Sequence, residues 1–533
     1  MIICVIPAKS DARRLPGKNM VRIAGKPLIY YTIKAAQQSK KINKIYVSTD
    51  SDEIAGYAQK MGVQAIRRGP ELGGEIPLLE VFSHAYKNIP DSNVTHIVGL
   101  QPDHPDRSIN IDDAIQYGLD SDYSFLKSVD GKGRINGSFW MIKASFLKEN
   151  HPGFKIGTIM DACTNIHTEP DLLTAQRRLL RKQVINVAGR KIGEGCPTFV
   201  IAEGACNHMC DLDIAKRMIS EAKKAGADAI KFQAYKAEHL VTKSAESYWK
   251  YPGATSQFEY YKNLDKFDAP EYEILFQHAA KEGIIAFATP FDMKSASMLD
   301  ELGAPLFKIA SCDLPDVRLL RHVAGFKKPI ILSTGGSTLD EIRGAVNTLT
   351  RAGVEDLILM VCTLSYPTEN ESAHLNRILT FRKEFPELII GVSDHTNPDA
   401  HMVIPSAAVA LGARVIEKHY TLDRSMTGSG HAFSVTPADL KKMIDNIRTT
   451  EQVLGSSETI VYPAEEAARN SARRSLVAEV PIKKGGIITS EMIGIKRPGN
   501  GLPAGVIDTV IGKRAKKDIK IDQQITLEML EEP

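Results

Sequence analysis

Two apolar runs in the chain end on groups that ionise, hydrogen-bond or bind metals. "ELIIGVSDHT" (387–396) closes on Ser393, Asp394 and His395, and "ARVIEKHY" (413–420) closes on Glu417 and His419. Two histidines brought together from such endings suit an exchangeable divalent ion, Mn²⁺ or Mg²⁺, whose shell waters or substrate oxygens complete. They suit a closed structural zinc less well. Other runs end in the same way, on Glu203, Lys231 with Gln233, Thr289, Lys308 with Ser311, Ser333 with Thr334, and Thr363. Each has an ordinary explanation taken singly: a capping hydroxyl, a lysine stretching to solvent, a core histidine with its bonds satisfied. Taken together they make that explanation poor. Two lysines and several hydroxyls converging on one pocket match a phosphate and a carboxylate.

The elements that must position these groups are legible. "TFVIAE", "AIKFQ", "IAFATP", "LFKIAS", "PIILSTG", "LILMVCT", "LIIGVSDHT" and "RVIEKHY" read as strands, each followed by a helical pattern such as "DIAKRMISEAKKAG". Eight strand–helix units over residues 198–456 predict a (β/α)₈ barrel, favoured over an open doubly wound sheet. Chemistry in that fold sits at the carboxyl ends of the strands, where these residues fall. Residues 1–182 show an independent strand–helix alternation, that of a Rossmann-like parallel sheet, and 183–197 reads as a linker. After a second linker at 457–469, residues 470–533 form a small β-rich domain, with "IKKGGIIT" and "IKIDQQIT" each read as strand–turn–strand.

The bulk numbers agree. A chain of 533 residues predicts about three or four domains. A net charge of +3 gives no electrostatic case for nucleic acid or membrane surfaces. The seven cysteines are scattered irregularly, unlike a disulfide framework. The opening "MIICVIPAKSDARR" turns charged too early for a signal peptide, so a reducing cytoplasm is expected.

"IAEGACNH", "IKFQ", "ATPF", "KIAS", "ILSTG", "GVSDHT", "EKHYTLDR" and "KRPGNG" together resemble the signatures of the sialic acid (nonulosonate) synthases, in the family's order over about residues 198–530. The resemblance implies a barrel fused to an antifreeze-like (SAF) domain. It implies condensation of phosphoenolpyruvate (PEP) with an N-acetylmannosamine-type aldose, giving a nine-carbon 2-keto-3-deoxy acid and phosphate. It further implies that Lys231, Lys308, Thr289, Ser311, Ser333 and Ser393 hold PEP, and that Gln233, Glu203, Tyr366 and Glu417 line the sugar side. By the same resemblance Glu203, Lys231, Lys308 and Asp313 would carry the catalysis, and His395 and His419 would hold the metal. Arg497 would reach the partner's sugar site in a domain-exchanged homodimer. Three positions depart from the pattern: Gly430 stands for a sugar-contacting Asp, Leu364 for an Asn, and Asp313 for a Glu.

Residues 1–180 resemble the CMP-sialic acid synthetases (cytidylyltransferases) through "IPAKSDARRLPGKN", "GKPLIYYTI", "VSTDSDEIA", "LQPDHPDR" and "INGSFWMI". That implies CTP as a ligand, with Arg13, Arg14, Lys18 and Gln101 contacting the nucleotide. Asp11 would repel phosphate, Asp103 and His104 replace Thr-Ser, and Asn165 and His167 replace an Asp pair that binds Mg²⁺. The expectation is a synthase whose N-terminal domain has lost transfer activity. The alternatives are a bifunctional enzyme or a nucleotide-sensing module.

Overall fold

The structure is a computed structural model that describes residues 1–10, 15–69, 72, 76–91, 93–147, 154–180, 184–247 and 256–532. Arg13 and Arg14, two of the expected nucleotide contacts, lie outside the described residues, as does Asp11. The chain forms two compact units, Met1–Leu454 and Gly455–Pro533.

The first unit opens with a seven-stranded sheet built from β1 (Ile2–Pro7), β2 (Lys44–Thr49), β3 (Gln64–Arg67), β4 (His96–Gly99), β5 (Phe125–Val129), β6 (Ile135–Lys143) and β7 (Ile156–Met160), in the order β3-β2-β1-β4-β6-β5-β7. β6 runs antiparallel to β4 and β5, while the other pairings are parallel. Alternation along β1 sends Ile3 and Val5 into one apolar layer and Cys4 and Ile6 into the other, so the sheet is covered on both faces. The helix α1 (Glu169–Leu179) closes this part, started by a reciprocal cap between Thr168 and Asp171.

Residues 183–197, expected as a linker, instead carry an antiparallel hairpin of β8 (Val184–Val187) and β9 (Arg190–Gly193). Its Ile185, Val187 and Ile192 pack among Phe199, Ile201, Phe287, Ile331, Ile358 and Val415. The hairpin therefore floors the barrel at the amino ends of its strands. Its short strands carry Asn186, Arg190 and Lys191 among their apolar positions, so no apolar run marks them in the sequence.

The barrel strands are β10 (Phe199–Ala205), β11 (Ala229–Ala234), β12 (Ile285–Pro290), β13 (Phe307–Ile309), β14 (Ile330–Ser333), β15 (Leu357–Cys362), β16 (Ile389–Asp394) and β17 (Val415–His419). All are parallel, in the order β12-β11-β10-β17-β16-β15-β14-β13, with β12 and β13 adjacent where the ring meets. Helices cover the outside, from α2 (Leu212–Ala225) through α3 (Leu339–Arg351) to α4 (Pro437–Leu454). α2 shows how the sequence sets its ends. The Asp211 carboxylate accepts from the Asp213 and Ile214 amides, and Gly226, at φ +95°, closes it in a left-handed conformation few other residues adopt.

Helix α1 docks on the barrel beside α3. Arg177 Nε sits 2.6 Å from Glu387 Oε1 and Nη1 donates to Asn347 Oδ1, while Arg351 Nε lies 2.9 Å from Glu169. The second unit has two small sheets, β18 (Ser475–Ala478) with β19 (Ile493–Lys496) and β20 (Arg514–Ala515) with β21 (Leu530–Glu531). Its core gathers Leu476, Ile482, Ile488, Ile519 and Ile525. The two segments expected as separate strand–turn–strand units bridge each other instead, through paired bonds between Ile482 and Ile519.

Candidate active site

Along each barrel strand the inward positions run from apolar at the floor to polar at the mouth. β10 gives Phe199, Ile201, then Glu203. β11 gives Ala229, then Lys231 and Gln233. β17 gives Val415, then Glu417 and His419. The ladders set their heights: Glu203 pairs in register with both Lys231 and His419, and Ser393 with both Cys362 and Glu417. A bulge between Glu203 and Ala205 ends the β10 ladder just above the carboxylate. Gly391 is needed where β16 meets β17, because a Cβ there would stand 2.7 Å from the Val415 carbonyl oxygen.

These side chains line a cavity of about 540 Å³. At its base are two buried lysine–glutamate pairs. Lys231 is in close contact with Glu203 and donates to Thr289 Oγ1 at 2.9 Å, and Lys308 Nζ reaches both Glu417 oxygens at 2.8 and 2.9 Å. Ser393 Oγ donates to Glu417 at 2.9 Å, and Gln233 Nε2 donates to Glu203 at 3.3 Å. Burial opposes charge throughout, and the neighbours decide the outcome. Burial, reinforced by Glu417, pushes the Glu203 carboxyl up to about 7 despite Lys231. Glu417, buried but facing both lysines, is held below the usual carboxylate range. Lys231 is held above the usual lysine range because Glu203 and Glu417 outweigh its burial, whereas burial and Lys231 leave Lys308 lowered.

Ser333 Oγ is buried without a partner and faces this base, and Ser311 Oγ accepts from the Gly335 amide at 2.9 Å. The His395 and His419 rings lie 5.3 Å apart, with Tyr366 4.3 Å from His395. His395 Nδ1 donates to the Thr363 carbonyl at 2.8 Å, and Nε2 lies 3.4 Å from Ser393 Oγ. His419 Nδ1 is buried and has no hydrogen-bond partner. Burial, then His395, keeps the His419 imidazole well below its usual range, hence neutral and able to ligate. Among the described residues no group of three or more His, Cys, Asp or Glu side chains is arranged around a metal position. His395 and His419 are the pair that would hold an ion here.

Glu417, expected on the sugar side, lines the cavity and is paired there with Lys308 and Ser393, whereas several other expected residues sit elsewhere. Asp313 does not line the cavity, although Ser311 and Cys312 do. The 3-10 turn Ser311–Asp313 carries its carboxyl aside, with Oδ2 unbonded, and burial pushes the group up to about 7. Thr334 and Thr363 spend their hydroxyls on the Met360 and Ser372 carbonyls. Asp394, between Ser393 and His395, points behind the strand to Lys418, 2.7 Å away and buried with it. Arg497 follows β19 in the second unit. Gly430 lies against Phe433, whose ring would stand 2.7 Å from any Cβ at that position. Sequence reasoning missed the aromatic lining of Tyr235, Tyr260, Tyr261, Phe291 and Phe433. Tyr235 had a signal, since it continues the inward series Lys231, Gln233 along β11.

In the N-terminal domain Lys18 is internally committed, with Nζ 2.9 Å from Asp103 Oδ2 and 2.9 Å from the Ile166 carbonyl. Burial raises the Asp103 carboxyl, but His104 and Lys18 together hold it far below the usual range. The Gln101 carbonyl accepts from Arg107 Nη2. Asn165 Oδ1 is buried without a partner, and the His167 amide donates to Asp171, which also caps α1.

A nearly closed parallel barrel whose mouth joins two lysine–glutamate pairs to two histidines defines a (β/α)₈ enzyme with a charged mouth. Residues 218–459 match the model of the NeuB family, residues 3–136 that of a cytidylyltransferase, and residues 473–531 that of the SAF domain. An uncharacterized protein of Methanocaldococcus jannaschii is 43% identical over 64% of this chain and 97% of its own. The N,N'-diacetyllegionaminic acid synthase of Campylobacter jejuni is 37% identical over 62% and 98%. The crystal structure of an N-acetylneuraminic acid (sialic acid) synthetase from Leptospira borgpetersenii aligns with a TM-score of 0.50 at 36% identity, covering 54% of this chain and 95% of that one. The chain belongs to the NeuB family.

Proposed function

We propose that the chain is a nonulosonic acid synthase that condenses PEP with an N-acetylmannosamine-like aldose to give a 2-keto-3-deoxy nine-carbon acid and phosphate. The observation that carries this reading is the pairing of Lys231 and Lys308 with Glu203 and Glu417 directly beside His395 and His419. The lysines, with Thr289, Ser311, Ser333 and Ser393, hold the phosphate and carboxylate of PEP. Their glutamate partners keep the ammonium groups aimed before substrate arrives. Gln233 and Tyr366 line the aldose side. A divalent ion held by His395 and His419 would supply Lewis-acid polarisation of the aldehyde oxygen. C3 of PEP forms the new carbon–carbon bond to the aldehyde carbon. Water adds at C2, and the C2–O bond to phosphate then breaks. Glu203, poised near neutrality, delivers the proton that the new alkoxide takes up.

The expected result with PEP, Mn²⁺ and a panel of N-acylated hexoses is phosphate release, reduced at least 100-fold in His395→Ala. Activity that survives that substitution, or no release with any aldose, overturns the reading.

For the N-terminal domain we propose a non-catalytic role. Lys18 is spent on Asp103, and Asn165 and His167 are poor ligands for Mg²⁺. CTP added with the sugar acid is expected to yield no pyrophosphate, and pyrophosphate release would establish the bifunctional alternative. The exchanged homodimer, with Arg497 completing the partner's site, and a cytoplasmic location belong to the same proposal. Among the described residues no helix is long and apolar enough to cross a membrane.

A further inference from the structure

The two histidines at the mouth are held in different ways. A metal-ligating imidazole is normally fixed by a hydrogen bond from its other ring nitrogen, and His395 has one, from Nδ1 to the Thr363 carbonyl at 2.8 Å. His419 lacks it: its Nδ1 is buried, and among the described residues nothing hydrogen-bonds it. Other rings enclose this imidazole instead. Phe433 lies 5.0 Å away at 64°, His395 5.3 Å away at 66° and Tyr366 5.8 Å away at 80°, each edge to face.

The backbone delivers Phe433 to that place. After β17 the chain turns back and is sewn to the end of its own strand. The Val435 amide donates to the His419 carbonyl at 2.8 Å, and the Thr421 amide donates to the Val435 carbonyl at 3.0 Å. Ser434 Oγ donates to the Gly430 carbonyl at 2.6 Å. Asn207, just past β10, donates from Nδ2 to Ser434 Oγ at 3.1 Å and to the Tyr420 carbonyl at 2.9 Å. The Phe433 ring is buried, and its tip lies over Gly430. A Cβ at 430 would stand 2.7 Å from Phe433 Cζ and 3.2 Å from Cε1, so any side chain there displaces the ring.

We propose that Phe433 is the positioning residue of His419, and that position 430 is glycine because the Phe433 ring needs the space a side chain would fill. Edge-to-face packing does for His419 what the Thr363 carbonyl does for His395: it holds the ring in one orientation toward an ion. The inference rests on the reading of these histidines as an ion-holding pair, and it is tested on ion binding without turnover.

The test titrates metal-free full-length protein with Mn²⁺ and follows the electron paramagnetic resonance signal of the free ion. Phe433→Leu should weaken the Kd for Mn²⁺ by about tenfold or more, within the range of about 10–100-fold that follows loss of an outer support. Gly430→Ala keeps the ring but pushes it aside, and should weaken binding similarly. The double variant should bind no more weakly than Phe433→Leu alone, because both substitutions act through one ring. Phe433→Leu with a Kd within about twofold of the original overturns the inference, as do single losses that add in the double variant. A parent protein that binds no Mn²⁺ overturns it as well. Absence of phosphate release with every aldose overturns the synthase reading alone, since the Mn²⁺ titrations still decide the inference.

Discussion

Replacing Lys231 by methionine is expected to lower kcat/KM for phosphate release by about 10³-fold, the upper range seen when one charge-stabilising donor is removed from a dry site. The side chain is close in shape, so the loss is electrostatic. Lys231 is the hub of the base. It contacts Glu203 and Thr289 directly and lies 3.8 Å from Glu417. Without it, two carboxylates share one remaining ammonium, and Glu203 takes up a proton instead of staying poised near neutrality. The variant should therefore bind PEP poorly and keep Glu203 protonated as a weaker acid. Steady-state assays varying PEP and aldose separately check this, since a purely structural role would leave the KM for PEP unmoved.

The second large effect is on stability. Lys418→Met should destabilise the barrel by about 3–5 kcal/mol, because removing one partner of a buried ion pair strands the other. Lys418 Nζ lies 2.7 Å from Asp394 and donates to the Thr396 carbonyl at 2.8 Å, and both charged side chains are almost fully enclosed. The double variant Asp394→Leu with Lys418→Met removes both charges and should recover most of the loss. Thermal unfolding followed by near-ultraviolet circular dichroism reads the difference. A double variant no more stable than the single one would show that the pair contributes to packing geometry rather than through its charges.

This pair also marks a limit of what the sequence reveals. The strands are legible because most are apolar runs rich in Ile, Leu and Val, and alternation then carries Lys231, Lys308, Ser393 and His395 to one rim. The same alternation sends Asp394 and Lys418 to the opposite face of their strands, where a charge in the sequence gives no hint of its partner 24 residues away. Asp313 was misjudged for a related reason. Its position beside Ser311 is right, but a single tight turn rotates the carboxyl out of the cavity. Tyr260 and Tyr261 arrive from a helix between strand units, Gln257–Leu264, which no strand-end argument reaches. In the N-terminal domain, "NIHTEPDL" reads as a damaged metal site through Asn165 and His167 by resemblance, yet its "TEPD" is locally a sound helix start.

The hairpin of β8 and β9 gives the chain its true seam. Because Ile185, Val187 and Ile192 seal the bottom of the barrel, the portable synthase begins near residue 184 and not at the first barrel strand. Everything upstream is joined at the end of the barrel farthest from the rim that holds the lysines and histidines. A domain grafted there adds a long reach of chain without rearranging a single group at the mouth. Such a position lets the N-terminal domain change residue by residue while the groups at the other end of the barrel are left intact.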